Sequence, residues 1–359
     1  MEIYFYMLFF ALAFYGMNKM VHNKIVERIM SFIIFSTLFI VSALRFHVGT
    51  DYGVYLNVYS NIENRIYDGE GMEIGYFYLN KLTKYILGGE YTIFIVTSLI
   101  IIGLVYITVI KFSLDPILSL ILFMCIGGYI DSFNIIRQSI SIAVIFFAYR
   151  YCETKIQWII PMIVASLFHK TAILVIPFFL ISKLNLKKKD YLIIMGVGIL
   201  LYLSYERTVM YLTNFIEGFE HYQNSNFVTD GANPIRTLVS ISIFIFCSMA
   251  YDEICKDKKA KFAFTMVIFA TIFALFMRKG KIFARVVGYF DIFQIILIPY
   301  VIAHMKQIEL KKYIIFISII IVGCSSFYFY YTVKTNQANI VPYRTYVNEI
   351  TKKKVGTYD

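Results

Sequence analysis

A chain of 359 residues that is 59% apolar and 18% aromatic, with a mean hydropathy of +0.68, carries more apolar surface than one soluble core needs, much of it in runs of membrane-spanning length. A soluble globular domain is excluded, and an all-α polytopic membrane protein is expected. The net charge of +11 does not mark a nucleic-acid binder. The basic residues are scattered between apolar runs, and positive loops together with an anionic substrate account for them better.

The N-terminus, MEIYFYMLFFALAFYGM, has neither a basic n-region nor a small-residue cleavage site, so it reads as a retained first span and not as a signal peptide. Spans follow at about 29–46, 91–111, 114–130, 132–150, 190–205, 235–251, 262–277, 286–303 and 313–333, which with about 1–17 makes about ten full transmembrane helices. Residues 158–181 are the exception, with Phe168-His169-Lys170 in the middle and Pro161 and Pro177 near the ends. A single crossing there would put Lys183, Lys187, Lys188 and Lys189 outside and invert every later loop. Entry and return as two short halves instead places those lysines inside, with Lys256, Lys258, Lys259, Lys261, Lys306, Lys311 and Lys312. Residues 158–181 are therefore read as a broken or re-entrant pair, giving about 10–12 crossings. Its tip, His169-Lys170, points into the outer half, where non-helical backbone needs protein or a wet cavity around it. The whole chain, 1–359, is taken as one transmembrane domain.

With the N-terminus outside, most of the lysines lie inside with Arg28 and Arg150, whereas Arg45, Arg65, Arg137, Arg207, Arg236, Arg278, Arg285 and Arg344 lie outside or in the outer half. Lysine is the generic topology signal; the planar arginine fork binds phosphate bidentately and suggests a phosphate-bearing substrate. Two outer loops are large. Residues 47–90 are rich in Tyr, with Asp51, Asn57, Asn61, Glu63 and Glu73, and residues 206–234 contain Glu217, Glu220, His221, Tyr222, Gln223 and Asn224. Such faces suit sugar rings, although most of the 30 tyrosines are expected as interfacial anchors. A short loop, Arg278-Lys279-Gly280-Lys281-Ile282-Phe283-Ala284-Arg285, is basic on the side that should be poor in charge. At helical spacing Asp131, Asn134, Arg137, Gln138 and Ser141 form one polar stripe. An arginine within such a span faces a cavity, or else snorkels or pairs with Asp131. The five cysteines show no CxxC pair and imply neither disulfides nor a zinc site.

RFHVGTDYGVY, EIGYFYLN, NIIRQSISIA, SLFHKTAIL, the basic loop reaching Arg285 before GYF, and VPYR near the C-terminus together resemble, in order over nearly the whole chain, the EpsG family of Wzy-like polysaccharide polymerases. The resemblance implies a glycosyltransferase, needing no cofactor, that joins oligosaccharide repeat units carried on undecaprenyl pyrophosphate. It would act at the outer face of the bacterial cytoplasmic membrane, in O-antigen, capsule or exopolysaccharide synthesis, on a GT-C-like fold. Its partners would be the lipid-linked donor and acceptor, membrane lipid and a chain-length regulator protein. On that chemistry Arg45, Arg137, Arg278 and Arg285, assisted by Lys279 and Lys281, are the candidates for the pyrophosphate. His169 and Asp51 are the candidates for activating the acceptor hydroxyl, so Arg137, His169, Asp51 and Arg285 form the expected catalytic set. Tyr52, Tyr55, Asn134, Gln138 and Tyr289 are the expected sugar contacts. With no DxD element on an outer loop and no clustered His, Cys, Asp and Glu, arginine stabilisation is expected in place of a metal. The rival classes are a flippase, which calls for an inverted repeat, an O-antigen ligase, and a membrane O-acyltransferase using His169.

The topology makes a direct prediction. A cysteine introduced at Lys188 is protected from a membrane-impermeant thiol reagent in intact cells, while one at Gln223 or Lys279 reacts; labelling at 188 would refute the re-entrant pair.

Overall fold

The computed structural model describes residues 1–69, 71–205, 231–305 and 311–347, and among them the chain is helical, with one isolated backbone bridge between Arg45 and Thr345. Contacts divide it into two compact units, Met1–Ile173 with Phe329–Asp359, and Leu174–Tyr328. The expected outer loop around Arg207, Glu217, Glu220, His221, Tyr222, Gln223 and Asn224 lies outside the described residues.

The first unit contains α1 (Glu2–Val21), α2 (Lys24–Ala43), α3 (Tyr52–Ser60), α4 (Ile74–Leu87), α5 (Thr92–Phe112), α6 (Pro116–Cys125), α7 (Gly128–Asp131), α8 (Ile136–Phe147) and α9 (Ile159–Phe168). Their starts are written in the sequence. Asn23 caps α2 by accepting from the Ile25 and Val26 amides, and Asp115 caps α6 ahead of Pro116, each satisfying amide groups that have no partner inside the helix. Helix α5 packs on α2 and α8, α8 on α9, and α4 on both α5 and α9.

The second unit contains α10 (Ile176–Ser182), α11 (Lys188–Leu203), α12 (Pro234–Ser248), α13 (Tyr251–Ile254), α14 (Lys258–Phe276), α15 (Ile282–Asp291) and α16 (Gln294–Met305). Helix α14 is its hub, packed on α10, α11, α12, α15 and α16. The chain passes from the first unit to the second after Ile173 and returns within α17 (Lys311–Thr335).

Four helices among the described residues are long and apolar enough to cross a membrane: Lys24–Ala43, Thr92–Phe112, Lys258–Phe276 and Ile317–Thr335. The pair Ile282–Asp291 and Gln294–Met305, bent by 43°, makes a fifth if taken as one span. These match the expected spans at 29–46, 91–111, 262–277, 313–333 and, as the bent pair, 286–303; the runs at 114–130 and 132–150 are broken. The apolar run at 114–130 stops at Cys125, because Gly127 adopts φ 111° and opens the short α7. The run at 132–150 does not become helical until Ile136, since Ile135 sits at φ −97°, ψ 55°. The polar stripe is accordingly divided. Asp131 ends α7 and Asn134 lies in the turn, while Arg137, Gln138 and Ser141 belong to α8. Residues 158–181 are broken where the sequence places the break, with α9 ending at His169 in extended backbone and a 3-10 turn over Lys170–Val175 following.

The C-terminal motif closes the first unit. The Phe46 amide donates to the Arg344 carbonyl, the Gly49 amide to Asn339 and the Tyr346 amide to Leu44, while the Tyr343 hydroxyl donates to Val41 and the Tyr4 hydroxyl to Ile340. Asn134 joins both strands of this junction, accepting from the Thr50 amide at 2.6 Å and donating to the Ala338 carbonyl at 3.3 Å. Gly49 is obligatory here. At φ +109° its missing Cβ would lie 2.8 Å from both Asn134 Oδ1 and the Phe133 carbonyl, in a region that side chains rarely enter. We predict that Asn134→Ala lowers stability by about 1 kcal/mol through the two lost partners, and that Gly49→Ala costs at least about 2 kcal/mol; thermal unfolding in detergent reads both, and the reverse order would contradict the junction.

Candidate active site

In the first unit three side chains converge from three elements. Glu73 stands at the N-cap of α4 with extended backbone; its carbonyl accepts from the Phe77 amide, but its side chain makes no capping hydrogen bond to the helix. It reaches instead across to α8 and to the end of α9. Its Oε2 accepts from Arg137 Nη1 at 2.5 Å and its Oε1 lies 2.8 Å from His169 Nδ1. Arg137 Nη1 also donates to the Gly71 carbonyl at 3.2 Å. The Glu73 side chain is 9% exposed, that of His169 17% and that of Arg137 30%, so the carboxylate is sealed while guanidinium and imidazole each keep an open edge. Tyr55 is within hydrogen-bonding reach of Arg137, and its ring meets Tyr76 edge-on at 5.7 Å.

Local sequence explains the convergence. Gly75, two residues after Glu73, lies against the end of α9, and a Cβ there would sit 2.7 Å from the Leu167 carbonyl. Only glycine lets the start of α4 approach this closely, which carries Glu73 to His169. Ser141, one turn after Arg137 on α8, donates to the Ala165 carbonyl at 2.9 Å and fixes α8 against α9. Burial would raise the Glu73 carboxyl, but the His169 hydrogen bond and the Arg137 charge outweigh it and hold it down at about 2. Because this lies below the ordinary carboxyl value of about 4.3, the stabilisation is complete above that pH and fades only as pH falls toward 2. Glu73 is ionised whenever the protein works near neutrality.

The remaining expected residues separate clearly. Asp51 sits at the start of α3, makes no capping bond and accepts from the Thr50 hydroxyl at 3.0 Å. Arg45 requires a correction: it is 1% exposed, with Phe94 and Phe133 rings each 4.9 Å from its guanidinium and with Nη1 donating to the Ser42 carbonyl and to the Ser42 and Ser98 hydroxyls. A guanidinium enclosed in this way holds the end of α2 in place and presents no edge to a pyrophosphate. Tyr52, stacked on Phe94 at 4.2 Å, and Gln138 are likewise buried, so neither offers a face to a sugar ring. Asn134 is occupied by the C-terminal junction. In the second unit Arg278, Lys281 and Arg285 are exposed, Arg278 donates to the Ala232 carbonyl, Lys279 lies over the Tyr202 ring, and Tyr289 is buried. Arg236, another of the arginines expected in the outer half, is buried in an ion pair with Asp291 at 2.8 Å.

Sequence reasoning placed Glu73 among the loop carboxylates and gave it no role. The signal was the tripeptide Glu73-Ile74-Gly75, an acid beside a glycine at a helix start.

The long apolar helices define a membrane-embedded protein, and the family whose model the chain matches makes it one of polysaccharide biosynthesis, polymerase-like in kind. The EpsG family model matches residues 28–345, and the chain belongs to the EpsG family. No curated protein and no solved structure matches the chain.

The glycine contact yields a prediction. Gly75→Ala forces α4 away from α9 and lowers the unfolding midpoint, whereas Gly16→Ala, with nothing within 4 Å of the added carbon, leaves it unchanged or raised by the better helix former. Equal effects in a thermal melt would show that the α4–α9 approach is not tight.

Proposed function

We propose that the protein is a polysaccharide polymerase, a glycosyltransferase that joins oligosaccharide repeat units carried on undecaprenyl pyrophosphate at the outer face of the cytoplasmic membrane. The observation that carries this is the shared carboxylate, which holds a cation and an imidazole side by side with an open edge on each. Glycosyl transfer from a pyrophosphate needs both. The acceptor hydroxyl oxygen attacks the anomeric carbon of the donor chain, the bond from that carbon to the pyrophosphate oxygen breaks, and the lipid pyrophosphate leaves with the electron pair. Arg137 meets the charge developing on the leaving oxygen. With Nδ1–H directed to Glu73, His169 has Nε2 as its basic nitrogen, and it takes the acceptor proton there. Glu73 is the positioning residue that fixes both. Asp51 is the reserve base for the acceptor, and in the second unit the exposed Arg278, Lys281 and Arg285 with the half-buried Lys279 form a basic segment suited to phosphate. About ten full transmembrane helices plus the broken pair at 158–181, about 10–12 crossings in a GT-C-like arrangement, belong to the same proposal.

Glycan banding in a deletion strain tests the class of reaction. A single repeat unit on the carrier or core supports polymerisation; loss of all glycan indicates a flippase, and normal length lacking acetyl an acyltransferase, either of which overturns it. Restored variants test the roles. Arg137→Lys keeps the charge but loses the fork and abolishes nearly all polymer at normal protein abundance, while Arg28→Lys is silent. In His169→Gln the amide still donates to Glu73 but supplies no base, so chain growth falls by about a hundredfold or more. A working His169→Gln enzyme would leave Asp51, or no protein base, as the better account.

A further inference from the structure

Helix α4 is inside out. It buries Tyr76, Phe77, Asn80 and Thr83, and it exposes Tyr78, Leu82, Tyr85, Ile86 and Leu87, each by more than half: 58%, 56%, 90%, 63% and 57%. A helix on the surface of a water-soluble fold turns its polar side outward. Here both uncharged polar residues are on the buried face, and the outward face is aliphatic and phenolic. That pattern matches a lipid environment.

Two lengths set how the helix lies. Its 14 residues extend about 21 Å at 1.5 Å per residue, short of the roughly 30 Å hydrocarbon core, so it does not cross. Gly88 to Tyr91 alone separate it from the membrane-crossing Thr92–Phe112, and a four-residue link reaches at most about 14 Å. The helix is thereby tied to the level at which α5 enters the bilayer.

Charge at the edge of the apolar face completes the pattern. An open groove of about 560 Å³ is lined by Glu63, Tyr78, Lys81, Leu82, Lys84 and Tyr85. The two lysines hold their ammonium groups over aromatic rings at the groove edge, Lys81 Nζ over Phe77 and Lys84 Nζ over Tyr59, each 5.1 Å from the ring centre. Ammonium groups on apolar stems beside tyrosine hydroxyls are the side chains that meet lipid headgroups, with phosphate as the partner of the lysines.

We propose that α4 is an in-plane interfacial helix seated in the phospholipid leaflet, with Leu82, Ile86 and Leu87 among the upper acyl chains and Lys81 and Lys84 on headgroup phosphate. Glu73, at its N-cap, is then fixed at headgroup depth, and the Glu73–Arg137–His169 cluster opens at the lipid–water boundary. A substrate with its reacting polar group next to a lipid anchor reaches such a site from within the membrane plane. This last consequence rests on the function proposed above, whereas the seating of the helix stands on α4 alone.

Spin labelling in nanodiscs of phosphatidylcholine and phosphatidylglycerol tests the seating apart from any activity. In a background of Cys255→Ser and Cys324→Ser, which removes the two cysteines that are not buried, labels are attached to Leu82→Cys, to Ile86→Cys and, for reference, to the exposed Ser60→Cys. Power saturation compares collision with oxygen, which concentrates in lipid, and with a neutral nickel chelate, which stays in water. Oxygen collision dominates at 82 and 86 by several-fold over its ratio at 60, where nickel dominates. Nickel-dominated labels at 82 and 86 overturn the proposal by placing the helix in water. Low collision with both reagents there also overturns it, by showing that protein covers the face. The two labelled positions lie one turn apart, so a disturbance caused by one label does not decide the result.

Discussion

An ionised carboxylate sealed from solvent in an apolar, membrane-embedded chain is tolerated only if its charge is answered, and Glu73 is answered twice. The dependence is mutual. Arg137 sits among Ile135, Ile136 and Ile140 and keeps its charge there because Glu73 accepts from it. His169 sits where helix α9 stops and has a fixed ring because the other oxygen of the same carboxylate holds Nδ1. Removing the carboxylate would leave a half-buried cation without its anion and an unoriented imidazole, which is why the backbone around it is so constrained: a glycine where α4 meets α9, extended backbone at His169, and a helix that starts late enough for the Gly71 carbonyl to reach Arg137.

Two arginines singled out by the same reasoning have opposite fates, and the difference lies in their partners. Arg137 has an anionic partner on one side and an open edge on the other. Arg45 has only neutral oxygens and two aromatic faces, and no edge of it reaches the surface. The first arrangement can bind an anion and the second can only hold structure. The same division runs through the motifs. RFHVGTDY and VPYR pack on one another through backbone bonds across nearly the whole length of the chain and serve architecture, while EIG, NIIRQ and FHK each contribute one member of the charged cluster.

The broken helices have one physical origin. A stretch of apolar residues is free to be helical throughout unless a residue imposes another backbone angle or a side chain has a better use than facing lipid. Gly127 does the first, at φ 111°. Asn134 does the second, since its amide holds the Thr50 amide and the Ala338 carbonyl together. Hydropathy registers neither, so runs that look like full spans at 114–130 and 132–150 become short helices joined by turns.

The sequence by itself determined the class. Composition fixed a helical membrane protein, the order of short motifs fixed the EpsG family, and the proline-flanked Phe168-His169-Lys170 fixed the break after α9, because apolar content, motif order and helix-breaking chemistry are local properties of the chain. Arg137 and His169 were legible as candidates for the same reason, each being a costly polar residue in an apolar run. Only the tertiary structure decided that Glu73 joins them, that Arg45 is enclosed and that Asn134 belongs to the C-terminal junction. Partners 64 and 96 residues apart in the case of Glu73, and 204 in the case of Asn134, are set by helix packing and by a glycine contact, and neither leaves a periodic trace in one sequence.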